Sequence, residues 1–286
     1  MTLIYELPPL IKAKIINRPS KTCKTPYIAD IRLFSDKFME YENKQIPILS
    51  EQTMAHCPSL GCGGLSNKDS IVYVSKNSNT KAKSSHIVYL SKFKEYDNNI
   101  LIGINPNICN NIFENILKNN ILEIFKDYTI KREVSFNDSR IDFYLEKDDK
   151  KIFCEVKNVS LAYYEDIEQK FLKKKDYSDK EINSKIAVFP DCNRKLQKSV
   201  VSERALKHIN ELCLAAEQDF ECYLVYIIQR SDVKYFSPSK LDPIYYSTLK
   251  QAYINKKINI LPIQIHWNKE KAYFDKILDI EPNFIK

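Results

Sequence analysis

Glycine is scarce in this chain: four occur among 286 residues, and three of the four lie in the loop HCPSLGCGGL, residues 56–65. Lysine, isoleucine and asparagine are plentiful instead, a bias typical of an AT-rich genome and not of a particular chemistry. Glycine is used where the backbone takes a positive φ or approaches another group closely. A turn is therefore the simpler explanation of the loop, and a ligand contact is the alternative.

Paired cysteines and long apolar runs are also missing. None of the eight cysteines forms a C-x-x-C pair, so buried free thiols in a reducing cytosol are expected. His56, Cys57 and Cys62 lie close together as in half of a zinc site, but no second half is evident. No run approaches the ~20 apolar residues of a membrane span. Residues 1–10 carry Glu6 and two prolines where a signal peptide has an apolar core, so we expect a cytoplasmic protein without a membrane partner.

The overall composition is that of a globular protein with a substantial core, because hydrophobic residues make up 44% and charged residues 28%. A length of 286 residues predicts one large domain or two smaller ones. The net charge of +7 is compatible with a polyanionic partner but does not establish one. The oligomeric state stays open.

The hydrophobic pattern changes near residue 93. Before it, short alternating or β-branched segments at 10–16, 27–34, 70–77 and 86–93 predict a small barrel, closed or nearly closed. After it, apolar spacing predicts helices at 110–120 and 202–218, a helix that begins at Asp242 and Pro243, and strands at 98–104, 221–230 and the C-terminal end. We predict a mixed α/β protein with a β domain over 1–93 and an α/β domain over 94–286, in which residues 163–186 form a charged, solvated helical insertion.

The most informative segment is RIDFYLEKDDKKIFCEVKN, residues 140–158, which predicts a hairpin with its loop at 147–150. Pairing the two strands around that loop gives the hairpin one apolar and one polar face, and it places Asp142 opposite Glu155. Opposed residues have Cβ atoms roughly 5 Å apart, so two carboxylates repel unless something offsets them. A divalent cation does so, because Mg²⁺ takes carboxylate oxygens. Lys157 projects from the same face, and a right-handed crossover predicts strand 221–230 beside the hairpin.

Charged residues on a solvated strand face are common, and this simple alternative stays open. The apolar neighbours Phe153, Cys154 and Val156 favour a metal site, because charges within an apolar strand are costly unless they are paired or metal-bound. We expect Mg²⁺ or Mn²⁺ to be held by Asp142, Glu155 and a main-chain carbonyl near Val156. The ion would polarise a phosphodiester and lower the pKa of a water.

Other residues extend this hypothesis. Lys157 would position the water or offset phosphate charge. Glu114, on the preceding helix, is either a further carboxylate or a plain exposed residue. The basic residues of 194–208 would bind phosphates, and His208 is expected on the helix surface rather than as a general base. These basic residues are Arg194, Lys195, Lys198, Arg204 and Lys207.

Several stretches resemble the sugar fermentation stimulation protein A family, in one order along the chain: LPPLIKAKI, HCPSLG, GINPNICNNIFENIL, REVSFNDSRIDFYLE, CEVKNVSL, AVFPD, SERALKHINEL and YIIQRSDVKYFSPSKLDPIY. The resemblance implies an N-terminal OB-like barrel, then a domain similar to the PD-(D/E)xK nuclease core, with a mixed central sheet flanked by helices. It also implies DNA binding and a link to sugar metabolism genes.

The resemblance implies roles for single residues. Asp142, Glu155 and Lys157 match the nuclease motif, and Glu114 matches the acid of its first helix. The residues expected to contact nucleic acid are Asn110, Arg140, Arg204, Lys207 and His208. The chain departs from the family pattern at Asn111 and Ala205, where the family has Arg and Gly, and in the loop CPSLGCG at 57–63.

Three functions follow as hypotheses. The leading one is a DNA-binding, Mg²⁺-dependent nuclease, and the alternative is a non-catalytic DNA-binding regulator that retains the fold. Two adjoining carboxylates favour the enzyme, because without a metal they would repel the phosphates that a pure binder must hold. A small-molecule or sugar-metabolism protein would need a pocket that the sequence does not show.

Overall fold

The chain divides into two compact units in a computed structural model, which describes residues 1–41, 44–60, 62–192 and 200–285. The N-terminal unit contains Glu6–Asn107 and Trp267–Ala272, and the C-terminal unit contains Met1–Tyr5, Ile108–His266 and Tyr273–Lys286. The domain boundary predicted between residues 93 and 94 stays a prediction. Across the described part of the chain, no helix is long and apolar enough to cross a membrane.

Strands dominate both units. In chain order they are β1 Thr2–Glu6, β2 Ile11–Asn17, β3 Ile28–Tyr41, β4 Lys44–His56, β5 Ile71–Lys76, β6 His86–Glu95, β7 Asn98–Gly103, β8 Thr129–Phe136, β9 Ser139–Lys147, β10 Lys150–Val159, β11 Ala162–Tyr163, β12 Lys185–Phe189, β13 Glu221–Ile228, β14 Val233–Pro238, β15 Asn259–Asn268, β16 Lys271–Ile277 and β17 Asp279–Ile280. The helices are α1 Cys109–Lys118, α2 Gln169–Leu172, α3 Glu203–Ala216, α4 Pro243–Ile254 and α5 Pro282–Ile285.

The N-terminal unit is built from one sheet with the strand order β4-β3-β2-β5-β6-β7. An additional parallel pairing of β4 with β6, between Ala55 and His86, closes the sheet on itself. Alternate residues of each strand point inward, because successive side chains of a strand lie on opposite faces. The buried interior includes Ala13, Ile15, Ala29, Ile31, Val72, Val74 and Val88. The β-rich N-terminal region is therefore confirmed.

The loop between β4 and β5 has the backbone of a turn. Gly63 and Gly64 take positive φ values of 55° and 90°, as the turn explanation requires, while Gly61 lies outside the described residues. All eight cysteines are free thiols, and most of them are buried. Among the described residues, no group of three or more His, Cys, Asp or Glu side chains is arranged to hold a metal, so Cys57 and Cys62 have no zinc partners there.

The C-terminal unit contains the central strands of a mixed seven-stranded sheet. The strand order of this sheet is β1-β16-β15-β13-β10-β9-β8. β9 and β10 form the antiparallel hairpin, and β13 lies parallel to β10 on the other side, as predicted. A second sheet has the order β11-β12-β14-β17. α1 packs on the main sheet through its residue Phe113, which contacts Phe143 of β9. α3 packs on the same core through Ile209 and Leu212. The predicted mixed α/β fold class is confirmed.

The helix starts follow their capping residues. The Ser202 side chain accepts a hydrogen bond from the Ala205 N–H at the start of α3, and Asp242 accepts one from the Tyr245 N–H before α4. Pro243 occupies the first position of α4, where its missing N–H is not needed. Both starts agree with the sequence prediction.

The helical insertion predicted over residues 163–186 is wrong. That segment contains α2, which is a single turn, a 3₁₀ turn at Ile182–Ser184 and parts of the strands β11 and β12. Its run of lysines offers no apolar stripe that could pack a helix on the core. Isolated helices shorter than ~12 residues are marginal in water without such packing.

Candidate metal centre

The hairpin ladder ends just before the two candidate carboxylates. β9 and β10 pair regularly up to Phe143 and Cys154, but the described pairs do not include Asp142 with Glu155. Instead, the backbone N–H of Val156 donates to Asp142 Oδ2 at 2.8 Å. The predicted pairing of Asp142 with Glu155 is therefore wrong in detail. The Val156 N–H bonds to the Asp142 side chain and not to a backbone carbonyl of β9.

Asp142 is held from two directions. The Asn110 amide, on the first turn of α1, donates to Asp142 Oδ1 at 2.9 Å, and the Val156 N–H holds the other oxygen. Burial, followed by the negative charge of Glu155, raises the pKa of Asp142 to about 6 despite these two donors and the nearby Lys157. Burial is the larger cause of this rise, and repulsion by the charge of Glu155 adds to it.

Glu155 is almost completely buried, with 2% of its surface exposed. Its Oε1 accepts from Lys157 Nζ at 2.8 Å and contacts His208 Nδ1. Burial alone would raise the pKa of Glu155, but the charge of Lys157 and the hydrogen bond of His208 outweigh burial and lower it to about 2. Its Oε2 is buried and has no hydrogen-bond partner among the described residues.

α3 brings a histidine into this site. His208 is buried, so its expected place on the helix surface is wrong, and its Nδ1 lies 3.0 Å from Lys157 Nζ. Arg204, one turn earlier, places its Nε 3.5 Å from His208 Nε2. Lys207 is exposed and donates to the Asp138 carbonyl at 3.0 Å. Local spacing did not indicate the contact of His208, because its partner lies 53 residues away in the chain.

Two other predicted residues are engaged elsewhere. Glu114 forms ion pairs with Lys118 at 2.7 Å and Arg132 at 2.8 Å, and no described contact joins it to Asp142 or Glu155. Arg140 precedes Asp142 on β9, is mostly exposed, and lies 3.8 Å from a Glu133 oxygen. The predicted phosphate-binding residues Arg194, Lys195 and Lys198 lie outside the described residues.

A polar cluster that the sequence did not indicate lies at the ends of β10 and β13. Gln229 Nε2 donates to Asn158 Oδ1 at 2.6 Å, and the Cys109 thiol donates to the same oxygen at 3.4 Å. Asn158 directly follows Lys157 in the sequence, which is the one local signal that could have drawn attention to it. The cluster fixes the start of α1, where Asn110 reaches Asp142.

The donor set suits a hard divalent cation. Mg²⁺ in proteins usually keeps several waters and binds through one or two carboxylates, so a preassembled cage of three acidic or histidine ligands is not required. Asp142 and Glu155 supply two carboxylates, and Glu155 Oε2 is a buried acceptor with no hydrogen-bond partner in the described part of the chain. The residues present therefore fit such an ion.

Comparison with known proteins identifies the family. The family model described as the sugar fermentation stimulation protein (SfsA) RE domain matches residues 107–271. A sugar fermentation stimulation protein homolog of Pelagibacter ubique is 31% identical over 277 residues, covering 95% of this chain and 96% of the relative. A homolog of Crocosphaera subtropica is 32% identical over 287 residues, covering 97% and 98%.

The solved structure of Pyrococcus furiosus SfsA in complex with Ca²⁺ shares the fold, with a TM-score of 0.72 at 20% identity over 98% of this chain and all of that one. The resemblance inferred from the sequence motifs is thereby confirmed. This chain belongs to the sugar fermentation stimulation protein family.

Proposed function

We propose that this protein binds DNA and hydrolyses phosphodiester bonds with a divalent cation, Mg²⁺ or Mn²⁺. Asp142, Glu155 and the main-chain carbonyl of Val156 would hold the ion. The observation that carries this proposal is Glu155 Oε2, a buried oxygen with no hydrogen-bond partner among the described residues, beside a second carboxylate that it repels. A buried charged oxygen without a partner is costly, and a cation supplies the missing partner.

A relative supports the choice of a divalent cation, because the Pyrococcus furiosus structure is described as a complex with Ca²⁺. Mg²⁺ and Ca²⁺ are both hard ions that take oxygen ligands. When bound, the ion polarises the phosphodiester and lowers the pKa of a nearby water. Lys157 forms an ion pair with Glu155 at 2.8 Å, and in this proposal its positive charge would offset charge on the reacting phosphate.

Exposed cations around the site support binding of a polyanion. Arg140, Arg204 and Lys207 are exposed on β9 and α3, the two elements that contribute Asp142 and His208. Such residues bind phosphates without reading sequence, so we propose an interaction that weakens as salt rises. Asn110 has a different role in this proposal from the expected one, since its amide holds Asp142. The cytoplasmic location stays a prediction.

The second candidate is a non-catalytic DNA-binding regulator. One contact favours it: Glu155 Oε1 already has the positive Lys157 at 2.8 Å, so part of the buried charge is neutralised without a metal. Such a regulator would keep the fold and the exposed cations and would need no ion. Cleavage is what separates the two candidates.

The deciding experiment incubates the wild type and Asp142→Ala with single- and double-stranded DNA and RNA, in Mg²⁺, Mn²⁺ or a chelator. Asp149→Ala, in the exposed turn of the same hairpin, is the matched control. Metal-dependent cleavage by the wild type and the control, lost in Asp142→Ala, would establish the nuclease. Binding by all three proteins without cleavage in any metal would contradict it and support the regulator.

A further inference from the structure

His208 touches only one of the two Glu155 oxygens. Its Nδ1 contacts Oε1, which also accepts from Lys157, whereas Oε2 has no hydrogen-bond partner among the described residues. The two oxygens of a carboxylate are equivalent in water and become distinct only when the protein restrains rotation about the last side-chain bond. At Glu155 the partners on Oε1 supply that restraint.

His208 restrains Glu155 more firmly than Lys157 does. Lysine is a flexible stem with a rotating donor head, so Lys157 can follow Glu155 if the carboxylate turns. The imidazole is a rigid ring on α3, and its neighbour Ile209 is fully buried in the core. Ser202 fixes the start of that helix. The ring therefore has little freedom to follow a rotating carboxylate.

We propose that His208 is a positioning residue, which holds Glu155 Oε1 so that Oε2 remains the oxygen available to a divalent cation. This inference rests on the proposed function, because it assigns His208 a task at that cation site. Groups that orient metal ligands in this way typically change metal affinity by about 10- to 100-fold when they are replaced.

The test measures Ca²⁺ binding by calorimetry, with the metal alone and no nucleic acid. His208→Asn keeps an amide nitrogen at the position of Nδ1, because both atoms are bonded to the γ carbon, and His208→Leu has similar volume without a donor. Asn210→Ala, on the exposed side of the same helix, is the control. We expect the Leu variant to bind Ca²⁺ about 10- to 100-fold more weakly. The Asn variant should recover most of the affinity, and the control should match the wild type.

Recovery by Asn separates positioning from packing, since Leu fills the space at least as well as Asn does. If the Leu variant does not fold, His208→Ala replaces it, because it also lacks a donor to Oε1 and should bind as weakly. Equal affinities in the wild type and the donor-free variant would overturn the positioning role, and so would equal losses in the Leu and Asn variants. Those results leave cleavage by the wild type untouched. A wild type that neither binds Ca²⁺ nor cleaves would overturn the proposed function and this inference together.

Discussion

The backbone N–H of Val156 donates to Asp142 Oδ2 at 2.8 Å, at the point where β9 stops pairing with β10. In an antiparallel ladder this N–H would meet a backbone carbonyl, and here a side-chain carboxylate takes that place. Val156 is itself paired with Val225 of the parallel neighbour β13. Asp142 is thus anchored to the central strand that carries Glu155, and the two charges are held close together.

Burial of Asp142 near the charge of Glu155 should make the metal-free protein less stable as the pH rises from about 4 to about 6. The pKa of Asp142 is raised to about 6, first by burial and then by Glu155, from an ordinary value of 3.8. Between about pH 4 and pH 6 the folded state therefore binds more protons than the unfolded state, so stability falls with rising pH. Two pKa units correspond to about 3 kcal/mol.

Asp142→Asn provides the comparison, because residue 142 no longer titrates. We expect the unfolding free energy of the wild type, relative to this variant, to fall by up to about 3 kcal/mol between pH 4 and pH 7. Urea unfolding in a chelator at several pH values measures the difference. Parallel pH profiles for the two proteins would show that Asp142 has no raised pKa.

Asn110 should matter most when Asp142 is charged. Its amide donates to Asp142 Oδ1 at 2.9 Å, and a hydrogen bond to a charged group contributes about 1.5–3 kcal/mol. We expect Asn110→Ala to lose about that much unfolding free energy at pH 8 and less at pH 5, where Asp142 is protonated. Asn119→Ala, at the exposed end of the same helix, should lose no more than about 0.5 kcal/mol at either pH. An equal loss for Asn110→Ala at both pH values would contradict this account.

The sequence was sufficient to place Asp142, Glu155 and Lys157 in one hairpin, because alternation along a strand and a short turn determine which side chains share a face. It did not predict where the ladder ends. A side chain that bonds to the backbone competes with strand pairing, and that competition is settled by tertiary contacts such as the one from Asn110. Asp142 is therefore held by two hydrogen bonds, from Asn110 and from the Val156 N–H, that a regular hairpin would not supply.

Elements without a strong apolar pattern were missed. β8 is an edge strand of the main sheet, and its sequence TIKREVSF leaves most side chains exposed, so alternation gave little signal. His208 was misplaced for a different reason. Its helix was predicted correctly, but the polar partner that buries it lies on β10, and helical spacing carries no information about such a distant contact.

A buried ion cluster in the C-terminal unit should be far more sensitive to mutation than the surface pairs. Asp232 accepts from Lys185 at 2.7 Å and from Arg230 at 2.6 Å, and all three side chains are buried. Removing one partner of a buried ion pair is strongly destabilising, because the opposite charge then stays buried without a partner. We expect Asp232→Ala to lower the unfolding free energy by about 3–5 kcal/mol, measured by urea denaturation.

The matched comparison is Glu217, which pairs with Lys257 on the surface of the same unit. Glu217→Ala should cost less than about 1 kcal/mol, because solvent screens an exposed pair. Similar losses in the two variants would mean that the Asp232 cluster contributes no more than a surface pair does.

The exposed cations near the site should contribute to DNA binding through charge alone. Each phosphate contact that is lost reduces the slope of log affinity against log salt by about 1. We expect Arg140→Gln and Lys207→Gln each to show that reduction, with equal effects on unrelated DNA sequences, in fluorescence anisotropy titrations at several salt concentrations. Lys276→Gln, an exposed lysine on β16, should keep the wild-type slope.

Comparison of the slopes separates phosphate contact from a general effect of net charge, because all three variants lose one positive charge. A uniform reduction in all three would assign the effect to the overall charge of the protein. A reduction confined to Arg140→Gln and Lys207→Gln would place the DNA backbone along β9 and α3, beside the carboxylates. Since Lys207 also donates to the Asp138 carbonyl, melting temperatures measured in parallel would show whether its loss disturbs the hairpin that carries Asp142.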